Sequence, residues 1–307
     1  MVSTTFSVKL LASLTIITGP RQANPVVAMS LRKTLTALSR ASSPPDSSIT
    51  AVNLEAAEPS RSSQITFRPR KIRKVSLDDL NPSPTTITAS PLSSKSTVDI
   101  ALRHLLISDE LLGGVISAHN TPPVFESTST PFLSLARSIL YQQLATKAAK
   151  CIYDRFISLF PGGESGVLPD SVISVSAVDL REIGVSGRKA SYLHDLAGKY
   201  KSGELSDETI LEMSDGELID RLTSVKGIGV WTVHMFMIFS LHRPDVLPVG
   251  DLGVRKGVKD LYGLKNLPGP LQMEQLCEKW RPYRSVGSWY MWRLIESNKT
   301  SKTKLSK

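Results

Sequence analysis

In the stretch LTSVKGIGVWTVHMFMIF, Leu222 to Phe239, apolar residues recur at helical spacing on both sides of Gly227-Ile228-Gly229. A glycine inside a helix costs about 1 kcal/mol relative to alanine. The spacing therefore predicts two helices joined by a sharp turn. Two glycines let the backbone fold tightly and let another molecule approach it closely. The second helix then opens with N–H groups that have no intrahelical partner, at the positive end of its dipole. Such a terminus suits an anion, above all a phosphate, and contacts of that kind position a duplex without reading its sequence. A plain packing turn between two core helices explains the same residues, and the turn alone does not choose between the two.

Other chemistry is scarce. Cys151 and Cys277 are the only cysteines, too few for a disulfide scaffold or a four-thiolate cluster, and core filling suits them better than nucleophilic duty. The five histidines, His104, His119, His194, His234 and His242, show no metal-ligand spacing. The net charge of +9 invites a nucleic-acid reading. Its placement tempers that reading. Eleven basic residues up to position 75 face only Asp46, Glu55 and Glu58, so this segment holds +8 of the charge and the rest of the chain is nearly neutral.

The elements that must position these residues divide the 307-residue chain in three. Residues 1–95 are rich in Ser, Thr and Pro with few aromatics, and are expected to form a disordered, basic N-terminal extension. Its first residues, basic and hydroxylated with no acid before Asp46, have the composition of an organelle transit segment. The run LLASLTIIT is too short to cross a bilayer, so no membrane partner is expected. The cluster RPRKIRK, Arg68 to Lys74, could serve nuclear import, hold a phosphate, or be a solvated charge run. Residues 96–298 carry helical periodicity almost throughout and predict an all-α domain. One helical region is expected from Pro131 to the Pro161-Gly162-Gly163 stop. Ser176 and Ser214 read as caps, the latter boxed with Glu217. Residues 299–307 read as a flexible basic tail.

Four stretches in order carry a family resemblance. KGIGVWTVHMF followed by VLPVGDLGVRKG, SILYQQLATKAA, IGVSGRKASYLHDLA and WRPYRSVGSWYMWRL together resemble the helix-hairpin-helix DNA glycosylase superfamily (HhH-GPD). The last is similar to the alkylated-base branch, 3-methyladenine DNA glycosylase II in bacteria. The resemblance spans about Thr97 to Glu296 and implies a two-lobed, all-α helix-hairpin-helix fold. Strand-cleaving members carry a lysine where this chain has Trp231, which offers no nucleophile, so lyase chemistry by that route is excluded. Members with an iron–sulfur cluster need four C-terminal cysteines, and only Cys277 lies there. What remains is a monofunctional, cofactor-free enzyme acting on double-stranded DNA with damaged bases, as a monomer.

The resemblance then assigns roles. Alkylation at purine N3 or N7 makes the base cationic and a good leaving group, so the enzyme must chiefly stabilise the oxocarbenium-like sugar. A carboxylate near C1′ does so, and can orient water. Asp251, twenty positions beyond Trp231, is that candidate; as a helix N-cap it has a second, structural reading, and both can hold. Trp231 and Trp292 match pocket tryptophans whose faces would stack on a flipped cationic base. Met235 replaces an aromatic of the bacterial relatives, and Gln142 would face the pocket or the damaged strand. Trp289 and Tyr290 read equally as core. Gly227, Ile228, Gly229, Val230 and Thr232 would contact the DNA backbone, and Gln143 or Leu144 would be the wedge that enters the duplex. Two solvated glutamines at a helix end are the plainer alternative. Carbonyls of Thr223, Val225 and Ile228 match those that hold a monovalent cation, K+ or Na+. The expected activity is excision of 3-methyladenine- or 7-methylguanine-type purines. The alternatives are a non-catalytic DNA-binding protein, or excision of ethenoadenine, hypoxanthine or uracil. The expected compartment is the nucleus, with a plastid or mitochondrion as the alternative through the leader.

Overall fold

The computed structural model describes residues 89–305 apart from 120 and 126, with side chains described up to Asn298. The expected leader, the cluster Arg68 to Lys74 and most of the Ser/Pro-rich extension lie outside the described residues. The described part is entirely helical, with no strand among the described residues. No described helix is long and apolar enough to cross a membrane.

The helices, in chain order, are α1 (Lys95–Ser108), α2 (Glu110–Ala118), α3 (Pro131–Tyr141), α4 (Thr146–Ser158), α5 (Pro169–Ser174) and α6 (Ala177–Glu182). They continue as α7 (Gly187–Lys201), α8 (Asp207–Glu212), α9 (Asp215–Thr223), α10 (Val230–Phe239), α11 (Leu252–Leu261), α12 (Pro270–Leu276) and α13 (Arg284–Leu305). They pack as two groups. Helices α3 to α10 close on one another through α3–α4, α5–α7 and α9–α10 contacts, while α1, α2, α11 and α13 form the second group. The chain passes from the second group into the first between α2 and α3, and returns in the loop between α10 and α11.

Local sequence explains most boundaries. Ser176 accepts the N–H of Asp179, and Ser214 forms the expected capping box with Glu217. Such caps stabilise a helix by about 1 kcal/mol each. Three expectations are corrected. The region from Pro131 to Phe160 is not one helix: it breaks at Gln142 to Ala145, where Gln143 takes a left-handed φ of 55°. Apolar spacing continues across the break and hides it. The fold also begins before residue 96, because Leu92 is buried and its N–H reaches the His242 carbonyl at 2.8 Å. At the other end α13 runs on to Leu305 instead of giving way to a tail at 299. The Lys, Ser and Thr of that stretch include no helix breaker.

Two features hold the second group together and tie it to the loop before α11. A Cβ on Gly257 would collide with the backbone of Met291, so glycine there lets α11 and α13 approach closely. Arg284, at the start of α13, is buried and pairs with Asp245 and Glu274 through 2.7 Å contacts, while Ser285 Oγ donates to the Arg243 carbonyl. These bonds anchor the α10–α11 loop to α13.

Candidate functional site

The hairpin turn between α9 and α10 is closed from within. Val225 N–H donates to the Leu222 carbonyl and Ile228 N–H to the Val225 carbonyl, each at 3.1 Å. It is also held from outside, because Asp195 of α7 accepts the Lys226 N–H at 2.9 Å and pairs with its ammonium at 3.3 Å. Gly227 has φ 82°, and a Cβ there would enter the Tyr192 ring. Only glycine fits that position. Gly229 is the N-cap of α10, and a Cβ on it would meet nothing within 4 Å, so solvent or a ligand reaches its backbone.

The expected DNA-contacting residues thus separate. Gly227, Gly229 and Val230 are exposed at the turn and first helical position. Ile228 is buried and its N–H is used inside the turn. The Thr232 side chain is buried as well, so it can face a ligand only through its N–H.

The loop after α3 lies against this turn. Gln142 Nε2 donates to the Gly227 carbonyl at 2.8 Å, joining residues 85 apart in sequence. Gln143 is exposed in its left-handed conformation, while Leu144 is half-buried against the core. Of the two wedge candidates, Gln143 stands further out.

Asp251 lies on the other side of α10, at the N-cap of α11. It is only 3% exposed. Its Oδ1 accepts the Val254 N–H at 2.8 Å and the Trp292 indole N–H at 2.9 Å, and its Oδ2 accepts the Trp231 indole N–H at 2.8 Å. The carboxylate therefore spans both helix groups, since Trp231 belongs to α10 and Trp292 to α13. No Lys, Arg or His among the described residues forms an ion pair with it. Its negative charge is met only by N–H dipoles and the helix N-terminus.

Trp231 is half-buried, and Trp292 is buried with its ring stacked on Phe239 at 5.8 Å. Phe239 in turn meets Phe125 at 6.2 Å. Met235 follows Trp231 by one helical turn and is buried. Trp289 and Tyr290 are buried in the core, in edge contact with each other. The sequence did not mark Phe239 as the ring under Trp292, or Phe125 behind Phe239, because the three come from distant points of the chain. The signal nearest to usable was the apolar run through Phe239 itself.

The sequence profile described as HhH-GPD superfamily base excision DNA repair protein matches residues 136–282, which include Gln142, the hairpin and Asp251. DNA-3-methyladenine glycosylase 1 of Schizosaccharomyces pombe is 37% identical over 164 residues, 53% of this chain and 72% of that protein. The chain belongs to the HhH-GPD superfamily. Solved HhH-GPD structures agree. The S. pombe 3-methyladenine DNA glycosylase Mag1, determined in complex with abasic DNA, superposes with a TM-score of 0.56 at 34% identity, covering 63% of this chain and 95% of that one. DNA-3-methyladenine glycosidase of Bacillus halodurans gives a TM-score of 0.58 at 35% identity, covering 66% and 90%. Trp292, beyond the HhH-GPD match, reaches Asp251 through the last helix.

Proposed function

We propose that this chain is a monofunctional DNA glycosylase that hydrolyses the N-glycosidic bond of alkylated purines in duplex DNA and so initiates base-excision repair. The observation that carries the proposal is Asp251: a buried carboxylate held by two indoles and a helix N-terminus, without a positive partner. A buried anion lacking a counter-charge is costly unless a cation joins it. The reaction brings one, first as the cationic base and then as the oxocarbenium-like sugar. The named relatives, DNA-3-methyladenine glycosylases of fungi and bacteria, support the same substrate class.

The steps follow from the residues. The N–H groups of the exposed Gly229 and Val230 donate to a backbone phosphate, and the glutamine loop meets the strand beside it. A damaged base leaves the stack at a cost of a few kcal/mol, least when its pairing is already weakened. Trp231, half-exposed beside the carboxylate, offers a face to the flipped cation. Asp251 then stabilises the charge that grows on the sugar as the bond to C1′ breaks, and water completes the hydrolysis. Trp231 has no amine, so no imine forms by the route that a lysine there would open. The product is an abasic site.

The turn carbonyls of Thr223, Val225 and Ile228 are neutral oxygen donors near the negative end of α9, a set suited to a monovalent cation. Val225 already accepts the Ile228 N–H and keeps a second lone pair. Potassium or sodium there would brace the turn and add positive charge near the phosphate. We place the protein's work in the nucleus, which a fluorescent fusion of the full chain would check.

The deciding experiment uses purified full-length protein and its Asp251→Asn variant on methylated duplex DNA, with released bases measured. Wild type should free 3-methyladenine and 7-methylguanine, and the variant should still bind the duplex while excision falls roughly 100- to 1,000-fold. A wild type that binds but releases no base makes it a DNA-binding protein only. A variant as active as wild type removes Asp251 from the chemistry.

A further inference from the structure

Between the glutamine loop, α7 and the hairpin turn lies a groove of about 410 Å3 that the excision chemistry above does not use. Asp251, Trp231 and Trp292 do not line it. Its walls include Gln142 and Gln143 from the loop, Ser186 and Tyr192 from α7 and its cap, and Gly227 from the turn. Lys189 is half-buried in it, and Arg188, exposed, stands beside it.

The Lys189 ammonium donates to the Leu140 carbonyl at 2.6 Å, in the last turn of α3. An ammonium has three N–H donors, so this bond leaves capacity for a second acceptor. No acidic residue lines the groove, and Lys189 forms no ion pair among the described residues. Burial with nothing to offset it brings the amine down to about 8. The groove therefore holds two positive groups and no negative one, with the positive end of α7 opening at Ser186. It is also lined by both elements that the Gln142–Gly227 bond joins, the glutamine loop and the hairpin turn.

We propose that this groove is a phosphodiester subsite in which Lys189 and Arg188 hold a backbone phosphate of the bound duplex. The inference rests on the duplex-binding reading above and deepens it. Lys189 would then do two things at once, tying the end of α3 to α7 and presenting charge to the strand. The rival explanation gives it the first role alone, as a cation capping the C-terminus of α3.

Salt and pH separate the two. Full-length wild type, Lys189→Met and Lys189→Arg are compared for duplex affinity across salt concentrations. Each phosphate contact contributes about 0.9 to the slope of log affinity against log salt for duplex DNA. Lys189→Met should lose about one contact's worth of slope and bind roughly 10-fold more weakly at low salt, and Lys189→Arg should restore both. A phosphate raises the amine's affinity for its proton, so binding takes up a proton above about pH 8. Wild-type affinity should therefore fall several-fold between about pH 7.5 and 9, a fall absent from both variants. The groups facing Lys189 are Arg188 and Tyr192 on its own helix; the loop offers glutamines and Leu144, α4 offers Ile152, and the turn offers Gly227. Thermal melting checks that the variants fold. A Met variant that melts earlier but keeps the wild-type salt slope and pH dependence reduces Lys189 to a cap and overturns the proposal. A wild type that fails to bind duplex at all overturns the functional reading instead.

Discussion

Asp109 and Asp251 are built alike but differ in how their charge is met. Each is a buried aspartate at a helix N-cap, and each accepts an indole N–H. Asp109 Oδ1 receives the N–H groups of Leu111 and Leu112, and its Oδ2 receives the Trp280 indole at 2.7 Å together with the Tyr262 hydroxyl. Lys279 closes the cluster, 3.3 Å from Oδ1 and stacked over the Tyr262 ring. Burial pushes the Asp109 carboxyl up, but the Trp280 and Tyr262 bonds, the Leu112 N–H and Lys279 outweigh it and hold it below its ordinary value. Asp251 has the dipoles without the lysine. One site is finished as it stands and ties α2 to the chain beyond α11. The other has no cationic side chain paired with it among the described residues, which is the opening the proposed chemistry uses. What separates the two buried carboxylates is a single cation, Lys279, which Asp109 has and Asp251 lacks among the described residues.

Replacing each by asparagine tests that contrast, with the largest effect expected at Asp109. Every orientation of an amide there sets its NH2 against donors, and Lys279 loses its partner. Leaving a buried donor unsatisfied costs about 1–3 kcal/mol, and an amide there sets at least one of several donors against its NH2, so Asp109→Asn should lower the Tm by about 10 °C for a domain of this size. Asp251→Asn keeps the cap to Val254 through its carbonyl oxygen; its NH2 then opposes the indole of Trp231, which is half-exposed and can turn to solvent, and the change removes an uncompensated charge. Its stability should change by about 1 kcal/mol or less, while excision collapses. Equal melting losses in the two variants would erase the distinction. Acid sharpens it further. Because the folded Asp109 carboxyl sits below 3.8, its stabilisation is complete above that value and disappears as pH falls through the lower one. The gap between wild type and Asp109→Asn, read by denaturant unfolding, should narrow only below about pH 4.

The sequence exposed one of these two sites and hid the other. The hairpin was legible because glycines between apolar runs have few other uses. Asp251 was legible as a cap, which the bond from the Val254 N–H bears out; its reactive role rests on the family resemblance and is the proposal above. The Asp109 cluster was not, since its partners Trp280 and Tyr262 lie 171 and 153 residues away and no local pattern links them. The break at Gln142 escaped for a related reason: burial on both sides keeps the apolar spacing going, and only the backbone shows Gln143 turning left-handed. Lys189 sat in plain view within IGVSGRKASYLHDLA, yet a lysine beside apolar helix positions looks solvated until α3 is packed against it. The two tryptophans were anticipated as ring faces, and the structure adds that their N–H groups point at the carboxylate.

That addition gives the smallest and most discriminating test. Trp292→Phe keeps an aromatic ring to stack on Phe239 but deletes the N–H that donates to Asp251 Oδ1. Oδ1 retains the Val254 N–H, so the carboxylate is left under-supported rather than abandoned. A hydrogen bond to a charged group contributes about 1.5–3 kcal/mol, which predicts that excision at saturating DNA falls about 10- to 100-fold. Trp231→Phe removes the donor to Oδ2 from a half-exposed side chain, and solvent can replace part of it, so its loss at saturation should be smaller. If the indoles act only as stacking walls, both phenylalanine variants should keep the maximal rate and change only the concentration of DNA needed to reach it. A fall in the maximal rate, larger at Trp292 than at Trp231, would mean that the N–H groups hold Asp251 in place for the charge it must meet.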